Sequence, residues 1–98
     1  MTSRVEADRV TLTVAGEIDL VSAAALDREL REAERAHRPR IILDFAALDF
    51  IDSTGLYLLI HAQWRAKARG HQLVLTHIPA HAKRLLELTG IGDQLVIE

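Results

Sequence analysis

The stretch RIILDFAALDFIDSTGLYLLI, residues 40–60, contains a strand, a connection and a helix start, and it indicates the fold class of the chain. RIILDF is a short apolar run that follows Pro39, which is typical of a strand buried on both faces of a parallel sheet. The end of the stretch opens a helix that we expect over residues 53–69, with Gly70 directly after its C-terminus. A strand followed by a helix is the repeating unit of α/β proteins.

The residues before this stretch predict a strand pair and an amphipathic helix. VTLTVAGEID, residues 10–19, alternates apolar and polar side chains, as in a strand with one buried face that ends at Gly16 and Asp19. A short strand near residues 4–7 is expected to pair with it as a hairpin. SAAALDRELREAERAH, residues 22–37, has helical spacing, with Ser22 as its expected N-cap. The expected buried face of this helix consists of Leu26, Leu30, Ala33 and His37.

The residues after the stretch continue the alternation. QLVLTHI, residues 72–78, predicts a strand, and AHAKRLLELT, residues 80–89, predicts a helix with Gly90 directly after it. Gly92 and Asp93 predict a turn before QLVI, a last strand or an extended tail. We therefore predict an α/β fold with a single mixed, largely parallel β-sheet and helices packed mainly on one face.

The composition limits the possible functions. The 98 residues are enough for one domain, residues 1–98, and 49% apolar with 27% charged residues is a normal globular balance. A net charge of -2 gives no electrostatic reason to expect nucleic acid as a partner. The longest apolar run is far shorter than the roughly 20 residues of a membrane span, so no membrane insertion is expected. Zero cysteine and the polar N-terminus are compatible with a soluble, cytoplasmic protein.

Asp52, Ser53, Thr54 and Gly55 at the start of the second helix have two possible roles. Asp52 or Ser53 can cap the helix, and Gly55 can allow close packing or a tight entry. Alternatively, Ser53 is a site that another protein phosphorylates, because a helix N-terminus tolerates a phosphate. Thr54 is one residue further into the helix and faces another direction, so Ser53 is the preferred acceptor.

At about 100° per residue, one side of this helix continues from the serine. That side consists of Ser53, Tyr57, Ile60, His61 and Trp64. Because Tyr and Trp anchor interfaces well, this side is a candidate partner surface. The alternative is that a neighbouring helix of the same domain covers Tyr57 and Trp64.

VAGEID near the N-terminus, DSTGLYLLI after the second strand region and LTGIGD near the end together resemble the STAS domain family. The resemblance covers nearly the whole chain and is greatest to the stand-alone anti-sigma factor antagonists of bacteria. It implies that a partner kinase, which is also the anti-sigma factor, phosphorylates Ser53. It further implies that the unphosphorylated form binds this kinase and frees the sigma factor, and that a PP2C-type phosphatase resets the switch. Asp19, in the GEID stretch, would help to shape the docking surface, and Asp52, Ser53, Thr54 and Gly55 would contact the partner there.

Two other functional hypotheses remain open beside an anti-sigma factor antagonist. The chain could be a STAS subunit that docks on a transporter ATPase and is never phosphorylated, or a family member in which the site only caps a helix. The family usually has a small residue where this chain has Tyr57, and the larger ring would change either the fit to a standard kinase partner or the choice of partner. An enzyme is not expected, because no Gly-x-Ser-x-Gly or Gly-x-x-x-x-Gly-Lys motif occurs. No metal or cofactor is expected either, and ATP and Mg²⁺ would belong to the partner kinase.

Overall fold

The computed structural model describes residues 1–98 as six strands, three α-helices and a 3₁₀ helix. In chain order these are β1 Thr2–Val5, β2 Arg9–Thr13, β3 Gly16–Ile18, α1 Ala23–Glu34, β4 Arg40–Asp44, β5 Leu48–Ile51, α2 Ser53–Arg69, β6 Gln72–Thr76, α3 Ala80–Thr89 and the 3₁₀ helix Ile91–Gln94. No helix combines the length and the apolar character that crossing a membrane requires.

The main sheet has four strands in the order β1-β2-β4-β6. β1 pairs antiparallel with β2, as the expected hairpin requires, whereas β2, β4 and β6 run parallel. The predicted fold class, an α/β protein with a mixed and largely parallel sheet, is thereby confirmed. Beyond β6, the expected last strand is reduced to a single parallel bridge between Leu75 and Ile97. The expected turn at Gly92 and Asp93 lies inside the 3₁₀ helix.

Two short strands, β3 and β5, form a separate parallel pair that the sequence patterns do not predict. Each continues the course of a main-sheet strand: β3 follows β2, and β5 follows β4. The Gly16 N–H donates to the Ala47 carbonyl oxygen at 3.0 Å just before this second pairing begins. GEID is therefore a strand and a turn, and LDFI is a strand where a connection was expected.

The apolar core lies on the face of the sheet that the helices cover. Val10 and Leu12 of β2 are buried there, in register with Ile41 and Leu43 of β4. The alternating residue Ile42 is only half-buried. The prediction that RIILDF is buried on both faces is therefore wrong for β4, because the helices pack mainly on one face.

Helix α1 begins at Ala23, directly after Ser22, but the Ser22 side chain does not cap it. Ser22 has helical dihedral angles and its side chain makes no capping hydrogen bond. Instead, the carbonyl oxygen of Asp19 accepts the Ala23 N–H at 2.8 Å. At the other end, α1 stops at Glu34, and His37 is exposed with a φ of 52°. Ser22 therefore has the predicted N-cap position without a side-chain capping bond, and the expectation that His37 lies on the buried face is wrong.

Helices α2 and α3 have the predicted bounds. Gly70 and Gly90 follow them in the left-handed conformation, with φ of 82° and 74°, which glycine adopts without a steric penalty. α1 and α2 are joined through the buried carboxylate of Glu34, whose side chain is 4% exposed. Arg65 donates to both Glu34 oxygens, and Arg69 donates to Oε1 at 2.7 Å. This ion cluster fixes the position of α2 relative to α1.

Candidate functional site

The candidate site lies where β3 and β5 end side by side. Ile18 and Ile51 are paired, and the Asp52 N–H donates to the Ile18 carbonyl oxygen at 3.0 Å. The chain segments that leave the two strands, beginning at Asp19 and Asp52, therefore start next to each other. This is the carboxyl edge of a parallel strand pair, where functional loops of α/β proteins gather.

Asp52 is the residue that caps α2. It has extended dihedral angles, and its Oδ1 accepts the Gly55 N–H at 3.2 Å. Its carbonyl oxygen accepts the Leu56 N–H, which is the first backbone bond of the helix. Of the two residues considered for the N-cap, Asp52 therefore has this role.

The Ser53 hydroxyl is left free by this arrangement. Ser53 is exposed at the first position of α2, and its side chain takes part in none of the hydrogen bonds of the chain. Thr54, the neighbouring hydroxyl, is half-buried. A macromolecular partner can therefore reach the Ser53 oxygen more easily than the Thr54 oxygen.

Gly55 is buried and allows close packing between α2 and the β3-β5 pair. A Cβ atom at this position would lie 2.7 Å from Ile51 Cγ1 and 2.8 Å from Ile18 Cγ2. Because Gly55 is covered by these side chains, the prediction that it contacts a partner is wrong. Its effect on the site is to let the first turn of α2 lie directly on the two strands.

Asp19 organises a tight turn between β3 and α1. Its Oδ1 accepts the N–H groups of Val21 and Ser22, each at 3.0 Å, and its own N–H donates to the Ser22 hydroxyl oxygen at 2.9 Å. Hydrogen bonds to the Asp19 carboxylate lower its pKa below the ordinary value of 3.8. The bond from the Ser22 N–H has the largest effect, and the bond from the Ser22 hydroxyl has the next largest. The Asp19 carboxylate is therefore engaged within the turn, and it shapes the edge next to Ser53 by holding that turn.

The turn presents two aliphatic side chains that the sequence patterns did not single out. Leu20 is 76% exposed and Val21 is 87% exposed. They follow β3 at the edge where Ser53 follows β5. The sequence could have indicated their exposure, because Leu20 and Val21 lie between Asp19 and Ser22 and do not fit the helical spacing of α1.

The outer face of α2 carries three of the predicted side chains. Tyr57 and Trp64 are each more than half exposed, so no other helix covers them. The rings of His61 and Trp64 stack with centroids 5.2 Å apart. Ile60 is only 4% exposed and packs in the core, so the prediction that it lies on this face is wrong. The structure otherwise brings Asp52, Ser53, Tyr57, His61 and Trp64 onto one continuous helix surface.

The acids near the site do not converge. No group of three or more His, Asp or Glu side chains is arranged to hold a metal ion. Asp52 and Asp19 bind backbone N–H groups, whereas Asp49 is exposed on β5. Asp52 therefore caps a helix, Asp19 forms a turn, and Asp49 is a surface residue.

Comparisons with known proteins agree on one family. The protein-family model described as Mlab, STAS domain, matches residues 1–98. The chain is 33% identical over 85 residues to the anti-sigma-B factor antagonist of Bacillus subtilis, which corresponds to 86% of this chain and 76% of that protein.

Solved structures show the same fold. An anti-sigma factor antagonist from Mycobacterium paratuberculosis superposes with a TM-score of 0.86 at 22% identity, over 98% of this chain and 81% of that one. The Bacillus cell fate determinant SpoIIAA, in its phosphorylated form, superposes with a TM-score of 0.74 at 19% identity, over 99% of this chain and 89% of that one.

Proposed function

The chain belongs to the STAS domain family, and we propose that it is an anti-sigma factor antagonist switched by phosphorylation of Ser53. The unphosphorylated form binds an anti-sigma factor that is also a serine kinase, and a sigma factor is released. Phosphorylation of Ser53 by that kinase ends the binding, and a PP2C-type phosphatase restores it. The observation that carries the proposal is the free, exposed Ser53 hydroxyl beside a helix cap made by Asp52.

The fold can accept a phosphate at this position. Phosphorylation breaks no hydrogen bond within the chain, because the Ser53 hydroxyl makes none, and Asp52 remains available as the cap. The partial positive charge at the start of α2 favours a negative group by about 0.3–1 kcal/mol. The adjacent Asp52 carboxylate opposes this through like-charge repulsion. These opposing effects are both small at an exposed site, so the phosphorylated chain stays folded.

The same phosphate has a much larger effect on the binding of a partner. Phosphoserine carries about -1.5 to -2 charges at neutral pH. Inside a fitted interface these charges lose their bound water, and without an opposite charge to pair with they repel the partner. Changing a bound fraction from about 99:1 to 1:99 needs about 5.5 kcal/mol of differential binding. An exposed ion pair supplies only about 0.2–1 kcal/mol. The switch therefore requires that the partner covers Ser53 closely.

The partner surface extends beyond the serine in two directions. A standard interface covers about 800 Å² of each protein, which is roughly a seventh of the 5669 Å² surface of this chain. Leu20 and Val21 extend the site on the β3 side, and Tyr57 and Trp64 extend it along α2. Aliphatic and aromatic side chains that are already exposed lose water on binding without unfolding the chain.

The proposed role involves no chemistry by this chain. ATP and Mg²⁺ belong to the partner kinase, and the chain provides the hydroxyl group and the docking surface. The exchange of partners takes place in the cytoplasm. No nucleic acid or membrane contact is part of the proposal.

The test starts from the chain recovered from its native cells. Phosphosites are mapped by mass spectrometry and copurifying proteins are identified for the wild type, Ser53→Ala and the matched control Thr54→Ala. The proposal predicts phosphate on Ser53, a kinase-like partner, and loss of phosphate only in Ser53→Ala. A copurifying transporter ATPase with an unmodified Ser53 would instead support constitutive docking.

Substitutions of Tyr57 and Trp64 test whether the partner surface extends along α2. Tyr57→Ala and Trp64→Ala should each weaken binding of the copurified kinase about tenfold or more. Their melting temperatures should remain within a few degrees of wild type, because both side chains are exposed. Normal binding together with a large loss of melting temperature would mean that the two rings stabilise the fold and contact no partner.

A further inference from the structure

A shallow apolar groove lies between β5 and α3, apart from the outer face of α2. Its volume is about 490 Å³, and Phe50, Leu85 and Leu88 provide most of its apolar lining. Leu88 is 78% exposed, and the ring of Phe50 stacks on His81 with the two planes 1° apart. Large apolar side chains grouped at the surface of a small domain indicate a contact with another macromolecule.

Two opposite charges occupy the two sides of this groove. Asp49 is on the β5 side and Arg84 is on the α3 side. Both are exposed, and neither belongs to an ion pair within the chain. The groove therefore has a negative side, an apolar centre and a positive side.

We propose that this groove is a self-association surface, and that its occupant is the same groove of a second copy of the chain. An interface between identical copies must contain both halves of every contact. A two-fold axis along the groove places the β5 side of one copy against the α3 side of the other. Asp49 of each copy then faces Arg84 of the other, and Leu88 of each copy packs towards Phe50 of the other.

The size of the patch sets the strength of the association. Seven residues line the groove, whereas a standard interface has about 20–30 residues on each side. We therefore expect a weak, concentration-dependent dimer. The inference does not depend on phosphorylation of Ser53, because it requires only the purified chain.

Sedimentation equilibrium of the full chain from about 10 µM to about 1 mM tests the inference. The weight-average mass of wild type should rise from 10.9 kDa towards twice that value. Leu88→Asn should lower the association constant about tenfold or more. Leu20→Asn is the matched control, because Leu20 is equally exposed but lies outside the groove, and it should associate like wild type.

A charge exchange tests the predicted pairing of the two sides. Asp49→Arg and Arg84→Asp should each lower the association constant about tenfold, and the double variant should return to within about threefold of wild type. All substitutions are at exposed positions, and circular dichroism checks that each variant is folded. A wild type that stays at 10.9 kDa throughout, or equal effects of Leu20→Asn and Leu88→Asn, would overturn the inference. A double variant no better than its parents would also overturn it.

Discussion

Replacing Gly55 with alanine should destabilise the protein, although alanine is the better helix former. Within a helix, alanine is favoured over glycine by about 0.5–1 kcal/mol. The added Cβ would however lie 2.7 Å from Ile51 Cγ1 and 2.8 Å from Ile18 Cγ2, where an ordinary contact begins at 3.4 Å. Both isoleucines are buried, so they can move only by disturbing the core, and overpacking of this kind costs about 1–3 kcal/mol.

The expected net change is a loss of about 1 kcal/mol in the free energy of unfolding, or about 5 °C in melting temperature for a domain of this size. Urea denaturation followed by far-UV circular dichroism measures it. Gly92→Ala is the matched control, because its nearest atom is Leu86 Cβ at 3.4 Å, and a change within about 0.5 kcal/mol is expected.

A double-mutant cycle identifies the cause of the loss. In an Ile51→Ala background, Gly55→Ala should cost about 1 kcal/mol less, because the closest clash has been removed. If Gly55→Ala stabilises the protein, or if its effect is the same in both backgrounds, close packing is not the reason for glycine here.

Three further perturbations test other parts of the structure. Glu34→Ala should lower the free energy of unfolding by about 3 kcal/mol, because it leaves the largely buried Arg65 with only the more distant Asp27 carboxylate at 3.9 Å. Glu32→Ala on the exposed side of α1 should change it by less than about 0.5 kcal/mol in the same urea titrations. Asp52→Ala should cost about 1 kcal/mol by removing the cap of α2, and Asp52→Asn, which keeps an acceptor oxygen, should recover most of this in thermal melts. Burial lowers the pKa of His71 below its ordinary value of 6.5, so the folded state takes up this proton less readily than the unfolded state. Stability should therefore decline as the pH falls below about 6.5, and His71→Gln should remove that part of the decline in denaturation curves measured at a series of pH values.

The bounds of α2 and α3 could be predicted from the sequence because residues at their ends carry local signals. Asp52 before α2 and Gly70 after it specify the ends through backbone geometry and a single side chain. Such signals act within a few residues, so one sequence contains them. The same holds for Gly90 after α3.

The β3-β5 pair could not be predicted in the same way. β3 has three residues and β5 has four, and each is stabilised mainly by pairing with the other from a distant part of the chain. Glycine and acids in GEID are typical of turns, so the pattern favoured a strand end over a strand. Only the tertiary pairing makes extended structure favourable there.

Ile60 shows the limit of helical spacing for predicting a surface. At about 100° per residue it lies only about 20° from Ser53 around α2, yet it is buried. The buried side of α2 is wide, because α1, β6 and the 3₁₀ helix all pack against this helix. Spacing gives the order of residues around a helix, whereas the neighbouring elements determine where the buried side ends.

We propose that one phosphate on Ser53 separates this chain from a partner that otherwise covers the serine. The most direct measurement is isothermal titration of the copurified kinase with the unmodified chain and with the chain carrying phosphoserine at position 53. We expect phosphorylation to weaken binding by about 10⁴-fold, the ratio that a nearly complete switch requires, with the melting temperature almost unchanged. Affinities within about threefold of each other would contradict a switch at Ser53.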